Sequence, residues 1–363
     1  MATKNDLKST EDVTFEEGDF QELPPGDIVA YNELRSCADL YRMYVSQALD
    51  ISPDFQRDVV WKSPAQTRFV DSLIKQLPIP SLCFSYSYKT EEWQVIDGLQ
   101  RISTIIKLLN KDSDWTLSSL PDVDPRISGT SVAEFHSKSP DLSKLLRRVE
   151  NATLPVTVLR CDPSLEAHSN YLFTIFHRLN TGGMRLNNQE IRNCIFSGEL
   201  NQLLKDLDNN KDWLKLNGLS RATPDRFRRQ EIILRFFAFH EGFETYTEGL
   251  ARFLNEYMRK NRNLSKQRIQ VKRALFEKTV DVINQKLGSK IAQQRLNLAV
   301  TEALLVGVGR NVDKLARETP AKVGRRFNEL VSDEEFSEGR LLEGLSKTGR
   351  VQGRLGAAVK SFG

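Results

Sequence analysis

Asp97, Gly98, Gln100 and Arg101 fall within one short segment that directly follows the apolar run Trp93-Gln94-Val95-Ile96, and they are the strongest chemical signal in the chain. Beyond them Ile102, Ile105, Ile106 and Leu109 recur at helical spacing, so the pattern predicts a strand, a tight turn and a helix start. At such a junction the backbone N–H groups and Arg101 stand at the positive end of a helix, where an anion is stabilised. A carboxylate beside an anion repels it unless the carboxylate does other work. Asp97 fits that place if it holds Mg²⁺, a ribose hydroxyl or a water. The same spacing also permits a purely structural use, with Asp97 capping the helix and pairing with Arg101.

Two other places carry groups suited to phosphate: Gln56-Arg57, and the turn Asn180-Thr181-Gly182-Gly183. Arginine offers a planar fork to phosphate oxygens, and adjacent glycines free the backbone to present N–H donors. Each is weak alone; together they point to an anionic ligand, a nucleotide first of all. Other chemistries are missing. There is no G-x-x-x-x-G-K-[ST] loop, no G-x-S-x-G elbow and no H-E-x-x-H pair. The histidines are His136, His168, His177 and His240, so no histidine remains past His240 to build an HNH-type nuclease. Cys37, Cys83, Cys161 and Cys194 lie far apart, without histidines at metal-ligand spacing, and read as reduced core thiols.

The elements that must position these groups divide the 363 residues into three parts. Residues 1–26, with Glu11, Asp12, Glu16, Glu17, Asp19 and Glu22, read as an acidic flexible tail. Residues 27–198 read as an α+β domain: an extended entry and helix to about Tyr44, then a helix capped by Ser63 with Pro64 in its first turn. A half-buried strand from Ser81 to Tyr88 then forms a hairpin with Trp93–Ile96. A polar insertion from Asp112 to about Lys138 reads as loop, followed by a strand over Pro155–Arg160 and a helix from about Leu165 to Leu179. Asn187 and Glu190 form a capping box for the next helix.

Residues 199–363 carry helical patterns only, for example Leu200–Leu207, Arg229–Phe239, Gly249–Arg259 and Val271–Leu287. Within them Arg259, Lys260, Arg262, Lys266, Arg268, Lys272 and Arg273 form a run without an intervening acid. That run is either a solvated helix face or a surface that tracks the phosphates of DNA. Ser346-Lys347-Thr348-Gly349-Arg350 onward reads as a frayed basic terminus, with a phosphate contact as the other reading. No apolar run approaches bilayer length and the N-terminus has no apolar signal core, so the expectation is a cytoplasmic protein with no membrane partner.

Three ordered blocks resemble the N-terminal domain of GmrSD-type restriction endonucleases, a family with a ParB/sulfiredoxin-like core. Gln56-Arg57 with Val60-Trp61 is similar to its Q-R-x-x-V-W opening. Pro78-Ile79-Pro80 and then Val95–Arg101 resemble its P-x-P and D-G-Q-Q-R signature, with Leu99 in place of the first glutamine. Phe176–Gly183 and Gln189–Asn193 resemble its N-T-G-G and Q-E-I-R-N blocks. The resemblance implies an α+β, ParB/sulfiredoxin-like nucleotide-binding domain followed by a mainly helical one, working in a prokaryotic restriction or phage-defence system that targets DNA. It implies a nucleoside triphosphate as ligand, with Arg57, Gly98, Arg101, Asn180, Thr181, Gly182 and Gly183 binding it. Asp97, Gln100 and Arg101 are then the candidate catalytic residues, with Mg²⁺ on Asp97. Leu99 leaves hydrolysis open, and a DNA-binding adaptor or a ParB-like DNA nuclease stands as the alternative. Partners implied are DNA, a nuclease or other defence-system subunit, and a second copy of the chain.

Overall fold

The computed structural model describes residues 25–51, 61–137, 139–179, 187–216, 227–247, 249–293, 296–342 and 344–363. The acidic residues of the expected tail, Arg57, and the turn Asn180–Gly183 lie outside the described residues. The chain divides at 185/186 into a sheet-containing unit and a helical unit.

The sheet unit runs β1 (Val29–Ser36), α1 (Cys37–Val45), β2 (Leu49–Asp50), α2 (Ser63–Ile74), β3 (Leu82–Ser87), β4 (Trp93–Asp97), α3 (Leu99–Leu109), α4 (Val132–Phe135), α5 (Pro140–Asn151), β5 (Thr153–Cys161) and α6 (Glu166–Leu179). Its strands lie in the order β1-β5-β3-β4-β2. β3 and β4 form the expected antiparallel hairpin, while β3 pairs β5 in parallel and β1 closes the other edge against β5. One face packs Leu82, Phe84, Val95, Val156 and Val158 against Ile102 and Ile105 of α3 and Val70 and Leu73 of α2. The mixed sheet with helices confirms the α+β expectation.

Three local expectations change. β3 is not half-buried: Ser85 and Ser87 are as closed to solvent as Cys83. Ser63 is not the N-cap of α2, a place taken by Lys62. Its hydroxyl instead accepts from Trp115 Nε1 at 3.1 Å and contacts Ser118 Oγ at 3.0 Å. The insertion, expected as loose loop, is packed. Trp115, Leu117, Val123, Ile127, Val132 and Phe135 are buried, and a Ser131–Glu134 capping box starts α4. These apolar residues follow neither the period of a helix nor that of a strand, so pattern reading has no purchase on them.

The helical unit holds α7 (Asn188–Ile195), α8 (Glu199–Asp208), α9 (Lys211–Leu216), α10 (Arg228–Gly242), α11 (Leu250–Lys260), α12 (Lys266–Gln293), α13 (Leu298–Arg310), α14 (Val312–Arg317), α15 (Pro320–Val331), α16 (Glu338–Leu342) and α17 (Thr348–Phe362). The boundary expected at 198/199 falls earlier because α7 is buried along its whole length against α10 and α11. Its capping box forms as predicted, with Asn187 Oδ1 accepting from Glu190 N at 2.8 Å and Glu190 Oε2 accepting from Asn187 N at 2.6 Å. The C-terminus is not frayed. α17 packs on α13 so closely that a Cβ on Gly307 would meet the Ala358 carbonyl at 2.8 Å, and Phe362 is fully buried. No helix among the described residues is long and apolar enough to cross a membrane.

All four cysteines are buried and free. Burial pushes the Cys37, Cys83 and Cys161 thiols up to about 12, with Asp97 adding to the effect at Cys83 and Asp162 at Cys161. At neutral pH these thiols therefore carry almost no thiolate, the reactive form. Ellman titration of native protein is expected to be slow at all four, with four equivalents released at once in denaturant; fast labelling of the native chain would contradict this burial.

Candidate functional site

β4 ends in Asp97, and the chain turns into α3 through Gly98 at φ +98°. Only glycine is at ease there, and space enforces the same choice: a Cβ would lie 2.2 Å from Cδ2 of the fully buried Leu82. The start of α3 has no side-chain cap and no acid in its first turn. Its positive end is thus left without an anion supplied by the helix itself.

Arg101 is largely buried and turned inward. Its Nη2 lies 2.8 Å from Asp97 Oδ2 and 3.4 Å from the Ser81 carbonyl, and its Nη1 donates to the Pro80 carbonyl. Burial draws the guanidinium below its ordinary pKa while Asp97 opposes that pull. Gln100 accepts at Oε1 from the Trp61 backbone N–H at 3.0 Å, and the Trp61 ring stands edge-on to Phe69. Leu99 packs against the core, so its apolar side chain is used for burial.

The sheet unit thus draws separate stretches of sequence onto one helix start. Trp61 comes from the first block, Pro80 and Ser81 from the P-x-P turn, and Asp97–Arg101 from the signature. Arg101 is turned inward, where it holds Pro80, Ser81 and Asp97 together. The purely structural use of Asp97 is realised in half: it pairs with Arg101, yet it caps nothing, because Gly98 occupies the N-cap. Its carboxylate stays partly exposed. The carbonyls of Pro80 and Ser81 as partners leave no mark in the sequence, although the P-x-P turn that carries them does. α6, which leads to the Asn180 turn, packs on β4.

Among the described residues no group of three or more His, Cys, Asp or Glu side chains could hold a metal ion. A Mg²⁺ at this place would have one protein carboxylate, Asp97, and would take its remaining ligands from phosphate and water, a common arrangement for that ion.

The second candidate site, the basic run of the helical unit, is partly paired. Arg259 and Lys260 both pair with Glu256, Arg262 donates to the Ser197 carbonyl at 2.6 Å, and Arg273 pairs with Asp206 at 2.6 Å. Lys272 is buried, bonded to Tyr257 Oη at 2.6 Å and to Glu241, with its ammonium over the Phe237 ring. Lys266 and Arg268 stand exposed. Glu256 from the same helix and Asp206 and Glu241 from other elements pair with four of these seven bases, so ion pairs interrupt the run.

The last block of the resemblance also has a structural use. Arg192, with no exposed surface, donates Nε to Asn255 Oδ1 at 2.8 Å, and Asn193 donates to Gln230 at 3.1 Å. Gln189 bonds Asn193 at 2.9 Å, so Q-E-I-R-N is a polar helix seated inside the helical unit.

Residues 37–197 match the family model described as "GmrSD restriction endonuclease, N-terminal domain", and the chain carries a domain of that family. No curated protein and no solved structure matches the chain.

Proposed function

We propose, from the premise of a GmrSD-type N-terminal domain in a DNA-targeting restriction or phage-defence protein, that the β4–α3 junction is the phosphate end of a nucleoside triphosphate site. The observation that carries this reading is an uncapped helix start with no acid in its first turn, fixed by a glycine where a Cβ would not fit, onto which Trp61 of the first block and the P-x-P turn converge. Such a start binds phosphate through backbone N–H groups and needs no exposed arginine. Arg101 then acts as a positioning residue that holds Asp97 and the Pro80–Ser81 turn in register. Asp97 is the group placed to hold Mg²⁺ or to orient a water. Arg57, Asn180, Thr181, Gly182 and Gly183 remain candidates for closing on the phosphates, and Gln100 supports the helix start through Trp61. Binding is the core of the proposal, and hydrolysis follows only if Asp97 orients a water.

Thermal unfolding in Mg²⁺ with ATP, GTP, CTP and UTP tests it. At a hundredfold excess over Kd one nucleotide is expected to add about 2.7 kcal/mol of stability. No shift with any nucleotide would remove the reading. The DNA-adaptor alternative has less support, because ion pairs engage four of the seven bases of its surface. A ParB-like nuclease has a single acid at this junction, too few for two-metal cleavage of a phosphodiester.

A further inference from the structure

The strand register places Asn32 opposite Thr157, Thr157 opposite Cys83, and Cys83 opposite Asp97. The β3–β4 register shifts between Cys83 and Phe84, and this bulge lets Asp97 join the row, which runs from Asn32 through Thr157 and the buried Cys83 to the carboxylate beside α3. Thr157 and Cys83 lie on the face opposite Val158 and Phe84. Neighbouring strands lie about 4.8 Å apart, so the row spans roughly 14 Å. That is close to the reach of a nucleotide from its terminal phosphate to its base.

The outer half of the row is polar and its orientation is set. Thr157 Oγ1 donates to Asn32 Oδ1 at 2.8 Å, and the Ser81 and Thr157 hydroxyls lie 3.2 Å apart. With its oxygen engaged, the exposed Asn32 amide presents its NH₂ outward as a donor. Ser81 links the two ends of the row, since its carbonyl receives Arg101. A solvated edge strand needs no such relay of hydroxyls behind one amide.

We infer that the Asn32–Thr157–Ser81 relay binds the nucleoside of a nucleotide whose phosphates lie at α3, with the Asn32 NH₂ donating to an acceptor on the base edge or ribose. This rests on the phosphate reading of the β4–α3 junction. The relay then sets nucleoside preference, while the helix start holds the phosphates.

Calorimetric titration of the full chain in Mg²⁺ with the four nucleotides and with inorganic tripolyphosphate separates the two readings. Asn32→Ala and Thr157→Val are expected to weaken the preferred nucleotide about tenfold, the worth of one or two hydrogen bonds. Tripolyphosphate, which has no nucleoside, is expected to bind wild type and both variants equally. Asn32→Asp, which reverses donor to acceptor, is expected to change the order of preference among the nucleotides. If wild type binds neither nucleotide nor tripolyphosphate, the junction reading fails and this one with it. If wild type binds a nucleotide and all three variants keep its affinity and preference, the relay reading alone is overturned. Melting curves of the variants, expected to match wild type at these exposed or isosteric positions, exclude misfolding as the cause.

Discussion

Glu302→Ala is expected to destabilise the protein by about 3–5 kcal/mol, the range seen when one partner of a buried ion pair is removed. Glu302 on α13 is almost wholly buried between Arg235 of α10, at 3.3 Å, and Arg354 of α17, at 3.8 Å. Arg235 also meets Glu231 at 2.6 Å, and Glu231 lies 3.8 Å from Arg192 of α7. Four helices are therefore joined through charges that lie away from water. Truncating Glu302 leaves two buried guanidinium groups short of a counter-charge, and burial already draws Arg354 below its ordinary pKa. Urea unfolding of the variant measures the loss. Glu302→Ala combined with Arg354→Met is expected to recover part of it, since an apolar side chain of similar length removes one stranded charge. A loss below about 1 kcal/mol for the single variant would mean that water reaches the cluster.

Gly98→Ala is the second large effect. An alanine at φ +98° bears backbone strain of about 1–3 kcal/mol, and its Cβ would overlap Leu82, which is fully buried and has nowhere to turn. Overpacking of that kind adds roughly 1–3 kcal/mol more. The expected loss is therefore several kcal/mol, together with disappearance of nucleotide-induced stabilisation, because the start of α3 must shift. Gly356 supplies the control. It lies inside α17 in open space, where an added Cβ would meet nothing within 4 Å, so Gly356→Ala is expected to be neutral or to stabilise by about 0.5–1 kcal/mol. Equal behaviour of the two variants in chemical denaturation would refute the account of Gly98.

The amino-acid sequence alone carried the local half of this description. The β3–β4 hairpin, the turn from β4 into α3, the Asn187–Glu190 capping box and the α+β-then-helical order follow from period, cap and turn chemistry, which act over a few residues. The family blocks were legible for the same reason, as short motifs in order. Tertiary structure decided what those residues do. Arg101 turned inward because the Pro80 and Ser81 carbonyls, distant in sequence, needed a donor. Part of the basic run is paired because Asp206 and Glu241 came to it from other elements. The Arg192–Glu231–Arg235–Glu302–Arg354 cluster and the Asn32–Thr157–Cys83–Asp97 row exist only once helices pack and strands take register. Charges and hydrogen bonds pair across space, and no local pattern records which distant partner a side chain will meet.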